Sequence, residues 1–364
     1  MGNPGAVTTV AFVLPSFSGG GAERVLLSLL NGLNVAQVRP VLIVFDSNGP
    51  LRDLVDDGVT VVDLGIARLR HALVPLRRAI ANIRPDVVVS TMAYMNLAVL
   101  GVSATFKRRP RVIVREANSV AATHRAIGVP LISRLLYRVL YPRADRIVCP
   151  SKLIADELAT YARRADTQLV VLPNPVNVQA IRNAAATPYR ASGEGSRFVA
   201  AGRLTYQKGF DRLVDLLVDA PPNCRVSILG EGPEGPALTE MVKDRALNER
   251  VEFVGFDANP WQWFAGADAL LLPSRWEGMP NVALESLTCG TPVIAVPEAG
   301  GIGEIAESAS PGSVTIAPFG APFLEAMNAI EHRDRAALRL SLLPPMFSID
   351  DVSEKFRALV LRDA

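Results

Sequence analysis

Short aliphatic runs alternate with amphipathic stretches along the whole chain. In the first half the runs fall at 9–14, 41–45, 59–64, 86–90, 112–116, 146–149 and 169–172. Some are apolar at successive positions, as in Val87-Val88-Val89, which is the pattern of strands covered on both faces. Between them, 22–33, 73–83 and 151–161 carry apolar residues at the three- and four-residue spacing of a helix with one buried face. Past Leu172 the chain meets the breaker Pro173-Asn174-Pro175, and 184–196 is small and polar with Gly193 and Gly195, where a domain linker is expected. A second series of runs follows at 197–201, 226–229, 251–254, 269–272, 292–296 and 314–316. The alternation predicts an α/β chain of two doubly wound, Rossmann-like domains, 1–183 and 184–346, with a C-terminal helix in 347–364 packing back toward the first. Open parallel sheets bind ligands at the carboxyl ends of their strands, so a cleft between two such edges is the expected site.

Composition sharpens this picture. A chain of 364 residues with 49% hydrophobic and 20% charged residues fits two well-filled globular domains. Cys149, Cys224 and Cys289 lie far apart, which suggests reduced thiols in a cytoplasmic setting. His71, His124 and His332 are equally scattered, so no metal centre is expected. The first apolar run, 7–14, is short and has no Lys or Arg before it, which suits a buried strand better than a signal peptide. No apolar stretch reaches the ~18 residues of a membrane span, and the chain is expected to be soluble or attached to a surface. Charge is uneven. Residues 1–183 hold 22 Lys and Arg against 12 Asp and Glu, a net of +10, and the rest hold 16 against 24, a net of −8. The basic half either attracts an anionic partner, such as a membrane surface or a lipid diphosphate, or is solvated surface arginine. Nucleic acid is disfavoured, since aromatics make up 6% of the chain and do not interleave with the basic residues.

Three constellations carry candidate chemistry. Gly19-Gly20-Gly21, before Ala22-Glu23-Arg24, joins the first strand to the first helix, where backbone can approach an anion; a plain tight turn would use the same residues. It has neither the GxGxxG spacing of a dehydrogenase nor the Gly-Lys-Ser/Thr of a P-loop. Gly202-Arg203-Leu204, followed by Gln207-Lys208-Gly209, puts a planar cation and a point cation near one strand end. Both could reach one diphosphate, or both could be solvated. The third runs from Leu271 to Glu285. A buried strand passes through Glu277-Gly278-Met279 into a helix with Pro280 at its first turn, again a helix start that favours phosphate. Glu277 and Glu285 then flank it as acceptors for hydroxyls at two ends of a ligand, unless they are ordinary surface acids.

The E-x7-E spacing of Glu277 and Glu285, within Pro-Ser-Arg-Trp-Glu-Gly-Met-Pro-Asn-Val-Ala-Leu-Glu-Ser, resembles the signature of retaining GT-B glycosyltransferases of the family-four (glycosyl transferases group 1) type. The Gly19–Arg24 run, Gly202-Arg203-Leu204 with Lys208-Gly209, Leu229-Gly230-Glu231-Gly232-Pro233, Val254-Gly255-Phe256, Pro292–Ala295 and Gly300-Gly301 resemble the family at collinear places. The resemblance is strong over about 200–310 and weaker over 7–180. It implies a GT-B fold with an acceptor-binding first domain and a donor-binding second, and a metal-independent transfer of a hexose or N-acetylhexosamine from a nucleotide sugar, UDP- favoured over GDP-. By this likeness Arg203 and Lys208 hold the diphosphate, aided by Gly19, Gly20 and Gly21. Glu285 takes the ribose hydroxyls and Glu277 the transferred sugar. Gly202 and the backbone of Gly278, Met279, Pro280, Asn281 and Val282 shape the pocket, with the base near Gly255 and Phe256. No cofactor is implied, since the nucleotide sugar is itself the substrate.

One departure stands out. Relatives place a histidine after the fifth strand, where this chain has Arg115, Glu116 and Asn118. Either His124 reaches back, or Arg115 and Glu116 do a related task, or the histidine is dispensable. The segment 130–140 is apolar and studded with Arg134 and Arg138. It reads equally as a helix lying on an anionic membrane, for a lipid-linked saccharide or other glycan acceptor, and as a core helix with two exposed arginines. A nucleotide-sugar epimerase or hydrolase of the same fold, and a non-catalytic nucleotide-sugar binder, are the alternative functions.

Overall fold

The computed structural model describes residues 7–33, 36–66, 69–121, 130–162, 168–189, 195–331 and 337–361. The chain divides into two compact units, Met1–Pro175 together with Ile349–Ala364, and Val176–Ser348.

The first unit runs β1 (Thr8–Ser16), α1 (Gly21–Asn31), β2 (Val38–Asp46), β3 (Thr60–Asp63), α2 (Leu69–Ile83), β4 (Val87–Thr91), α3 (Ala93–Ser103), β5 (Arg111–Arg115), α4 (Pro130–Leu140), β6 (Arg146–Cys149), α5 (Lys152–Tyr161) and β7 (Leu169–Val171). Its strands pair in parallel in the order β3-β2-β1-β4-β5-β6-β7. Side chains of a strand alternate between faces, and here the alternation feeds two cores. Val10, Phe12 and Leu14 of β1 join one, while Ala11 and Val13 join the other. β2, β4, β5 and β6 divide in the same way, which is why their central residues are apolar at successive positions. Helix α1 and the C-terminal helix, Ile349–Leu361, fill the first core; Phe356 of the latter lies 6.2 Å from the ring of Phe12. Arg111 on β5 donates to the carbonyls of Leu359 and Val360, closing the end of that helix with a cation.

The second unit runs α6 (Val178–Ala184), β8 (Arg197–Ala201), α7 (Phe210–Leu216), β9 (Arg225–Leu229), α8 (Gly235–Asp244), β10 (Val251–Gly255), α9 (Trp261–Ala265), β11 (Ala269–Leu272), α10 (Asn281–Thr288), β12 (Val293–Ala295), α11 (Ile302–Ser308), β13 (Val314–Ile316) and α12 (Ala321–Asn328). Its sheet is also parallel, in the order β10-β9-β8-β11-β12-β13. In both sheets the strand order reverses beside the first strand of the unit, between β1 and β4 and between β8 and β11. These are the topological switch points of doubly wound sheets.

The expected linker at 184–196 lies inside the second unit. The units part at Pro175 and Val176, directly after the Pro173-Asn174-Pro175 breaker. Helix α6 is part of the second core through Ile181, and Arg182 donates to the carbonyls of Thr288 and Arg339. A polar, glycine-bearing surface loop and an interdomain linker have the same composition, and long-range contacts tell them apart. At the other end, Phe347 is buried in the second core, so that unit extends to Ser348.

Candidate functional site

The switch point of the second sheet gathers most of the candidate residues. Strand β8 ends at Ala201, just before Gly202, and a short turn, Tyr206–Lys208, leads through Gly209 into α7. Strand β11 ends at Leu272, and 273–280 lead into α10. Side chains tie these two loops together. Arg212 donates to the Pro273 carbonyl, Gln207 Nε2 donates to the Trp276 carbonyl at 3.0 Å, and the Arg275 amide donates to the Gln207 carbonyl at 2.7 Å. Arg275 makes a two-pronged contact with Asp211, at 2.7 and 2.6 Å, and lies over the Tyr206 ring at 3.8 Å. Burial acts to raise the Asp211 carboxyl, yet the Arg275 hydrogen bonds and charge hold it below its ordinary range.

Within this frame Lys208 Nζ donates to Glu277 Oε1 at 2.6 Å. The Ser274 hydroxyl donates to the same oxygen at 2.7 Å, and no hydrogen bond falls on Oε2 among the described residues. Glu277 is only 7% exposed, so its attraction to Lys208 is weakly screened. Two glycines make the approach possible. Gly209 has φ +69°, and a Cβ there would overlap the Pro273 carbonyl oxygen; Gly300 has φ +65°, and a Cβ there would overlap the backbone of Glu277. The Gly301 amide donates to the Gly278 carbonyl at 2.8 Å, locking the loop before α10.

The other predicted donor residues divide by exposure. Arg203 is exposed and has no hydrogen bond or ion pair from its guanidinium among the described residues. Phe256, following Gly255 at the end of β10, is 59% exposed. Met279 and Pro280 are buried, and Asn281 and Val282 are half-buried. Glu285, on α10, accepts from the Trp261 indole nitrogen at 3.1 Å. Sequence reasoning missed Ser274, Gln207, Trp261 and the Arg275–Asp211 contact. Ser274 lay inside the motif already singled out, but Trp261 is 24 positions from its partner and carries no local signal.

In the first unit, the turn Gly19-Gly20-Gly21 opens α1, with Gly19 at φ +100°. The carboxylate of Glu23 lies directly over Gly20, where a Cβ would overlap it. The helix start expected to face a phosphate is thus already faced by an acid of its own first turn. Beside the switch point, Met92 joins β4 to α3 at φ 70°, an unusual conformation for a residue with a side chain.

Arg115 and Glu116, one of the alternatives for a sugar or acceptor contact, are 2% exposed and bonded inside the unit. Arg115 donates to Thr91 Oγ1 at 3.2 Å and to Asn174 Oδ1. Glu116 Oε1 accepts from the hydroxyls of Tyr141 and Tyr137, whose rings stack at 4.2 Å. Asn96 donates to the Arg115 carbonyl at 3.0 Å and accepts from Ser90 at 2.8 Å. Burial raises the Glu116 carboxyl, against the pull of these hydrogen bonds, and lowers the Arg115 guanidinium to about 10. Asn118 is half-buried and accepts from the Ser119 amide at 2.9 Å. Next to it Glu157 of α5 accepts from the Val120 and Ala121 amides, both at 2.9 Å. His124 lies outside the described residues.

Comparison with known proteins accounts for the pattern. Residues 187–340 match the model of glycosyl transferases group 1, and residues 19–180 match that of glycosyltransferase family 4. The chain is 26% identical over 202 residues to the N-acetylgalactosamine-N,N'-diacetylbacillosaminyl-diphospho-undecaprenol 4-alpha-N-acetylgalactosaminyltransferase of Campylobacter jejuni, covering 55% of this chain and 54% of that protein. It is 25% identical over 278 residues to the amylovoran biosynthesis glycosyltransferase AmsD of Erwinia amylovora, covering 76% of this chain and 77% of that one. The matched part thus spans little more than half the length of the first of these relatives and about three quarters of the second. Among solved structures, sucrose-phosphate synthase from Thermosynechococcus elongatus aligns with TM-score 0.75 at 17% identity, over 98% of this chain and 97% of that one. HepE of Anabaena in complex with UDP-glucose aligns with TM-score 0.72 at 17% identity, over 98% of both chains. At that identity the likeness speaks for the fold alone. The two family models follow one another as the two Rossmann-like units do, and the chain belongs to the group 1 glycosyltransferases of GT-B fold.

Proposed function

We propose that the chain is a retaining, metal-independent glycosyltransferase that moves a hexose or N-acetylhexosamine from a nucleotide sugar, with UDP as the favoured nucleotide, to a lipid-linked saccharide at the cytoplasmic face of a membrane. The observation that carries the donor half of this reading is the Lys208–Glu277 pair at the switch point of the second sheet. Its cation serves a diphosphate and its carboxylate, whose Oε2 takes no hydrogen bond among the described residues, serves the hydroxyls of the transferred sugar. Arg203 adds a second cation and Phe256 an exposed ring for the base. Glu285 anchors the ribose on α10. In the reaction the acceptor hydroxyl attacks the anomeric carbon on the face from which the diphosphate leaves. The hydroxyl proton passes to the departing phosphate oxygen, and the products are a glycosylated acceptor and a nucleoside diphosphate. Charge stabilisation by Arg203 and Lys208, together with positioning, supplies the catalysis.

The acceptor half draws on the relatives, whose names speak of an undecaprenol diphosphate-linked saccharide and of amylovoran. No helix among the described residues is long and apolar enough to cross a membrane, so attachment to a lipid surface is proposed as peripheral. The test is a thermal-shift screen of UDP-, GDP- and other nucleotide sugars with and without EDTA, followed by product mass. A matching donor at a hundredfold excess over Kd stabilises the chain by about 2.7 kcal/mol. Lys208→Ala and Glu277→Gln are expected to abolish transfer in a folded protein. Full activity in either would overturn the assignment, and consumption of donor without acceptor would favour a hydrolase.

A further inference from the structure

We propose that α4 docks the chain on an anionic bilayer through an aliphatic stripe that the fold turns outward. The inference rests on the lipid-linked acceptor reading for its choice of partner, and its geometry is independent of that reading. Ile132 and Leu135 are 62% and 61% exposed, and Leu136 and Val139 are exposed as well. Positions i, i+3, i+4 and i+7 share one face of a helix, so the four form a continuous stripe. The opposite face buries Ser133 and Tyr137. A helix on the surface of a water-soluble protein does the reverse, keeping aliphatic residues inside and hydroxyl-bearing ones outside.

The cause of the inversion is Glu116. Its buried carboxyl, just past the end of β5, is an acceptor that needs donors from inside the unit, and inward-facing hydroxyls meet that need. Tyr137 supplies one at 3.3 Å, and Tyr141, one turn on and stacked against it, supplies another. These two bonds set the rotation of α4 about its axis, and the stripe follows on the far side.

The charges beside the stripe name its partner. Arg134 and Arg138 are exposed along one side of it, and Arg143 is exposed just beyond, bonded back to the Val139 carbonyl. Arg134 rests over the Tyr161 ring of α5 at 5.1 Å. The helix holds no Asp or Glu. Aliphatic side chains with arginines at their border suit the boundary between acyl chains and anionic head groups, where the long side chains reach outward while the stripe sinks by about 5–10 Å. With 11 residues α4 is too short to span a bilayer and lies in its surface.

Vesicle flotation of the full chain tests this. Phosphatidylcholine vesicles containing phosphatidylglycerol are expected to carry the chain, and pure phosphatidylcholine vesicles to carry little. Arg134→Glu with Arg138→Glu is expected to lower binding roughly tenfold or more, from about 1 kcal/mol per basic residue. Ile132→Ser with Leu135→Ser is expected to lower it on the same vesicles. Since all four side chains are exposed, the thermal midpoint should stay unchanged, as should transfer to a water-soluble acceptor analogue. Equal flotation of wild type and variants would overturn the proposal. So would a concentration-dependent dimer that Leu135→Ser dissolves, since a second copy would then cover the stripe. Flotation without transfer to any acceptor would leave α4 as the docking element and remove the proposed activity instead.

Discussion

Glu277 and Glu116 are both buried carboxylates, and they are satisfied by opposite means. Glu277 faces a cation, Lys208, with Ser274 completing the contact. Removing Lys208 leaves the carboxylate without its counter-charge, so Lys208→Ala should cost about 2 kcal/mol of stability in addition to donor affinity, because the pair is largely shielded from water. Glu116 has neutral tyrosine hydroxyls instead, while its neighbour Arg115 spends its guanidinium on Thr91 and Asn174. Burial therefore raises the Glu116 carboxyl. A carboxyl raised on folding binds its proton more tightly in the native state. Its contribution is full at low pH and is lost as pH rises from the ordinary carboxylate range through the raised value, by at most about 1.4 kcal/mol per pH unit. Urea unfolding at a series of pH values should show this slope in the wild type and lose it in Glu116→Gln. A difference between the two that stays constant with pH would mean that Glu116 is ionised throughout. The Ser274 contact of Glu277 was within reach of its motif, three residues away, whereas the Lys208 contact spans 69 residues. The position of Glu116 was not readable locally, since its partners lie 21 and 25 residues away on another element.

At the scale of elements, the site depends on two loops held at a fixed separation. Gly209 of the β8 loop packs against the Pro273 carbonyl of the β11 loop, in a left-handed conformation. Gly209→Ala adds both backbone strain and an overlap with the Pro273 carbonyl, and should cost about 2–4 kcal/mol. It should also weaken nucleotide binding more than a remote substitution of equal cost, because Lys208 is the preceding residue. Calorimetric titration alongside thermal melting would separate the two effects, and unchanged nucleotide affinity would count against a positioning role for the turn. Strands were the most readable elements. Each of the runs expected from the sequence is a strand with ends within a few residues, because a strand buried on both faces needs an unbroken aliphatic run and little else in the chain imitates one. Helix α4 was ambiguous for a related reason. Periodicity reports that a helix has an apolar face, and it does not report which way that face is turned.

At the scale of the molecule, the chain leaves the first unit at Pro175 and returns to it at Ile349. The returning helix is bound by Phe356 against Phe12, by Arg111 on its last carbonyls and by Arg357 on the Gly32 carbonyl. Phe356→Ala should destabilise the first unit by about 3–5 kcal/mol and leave the second unchanged. Scanning calorimetry should then resolve an early transition followed by one at the wild-type temperature, and a shift of both together would mean that the units unfold as one. By itself the sequence determined the class of fold and the number of domains, since aliphatic runs, helix starts and close-range spacings are local properties of a chain. Tertiary structure decided where the units part, that Arg115 and Glu116 turn inward, and that α4 shows its aliphatic face to the outside. Each of those depends on which surface meets which partner across tens of residues, and burial by distant contacts has no local signature.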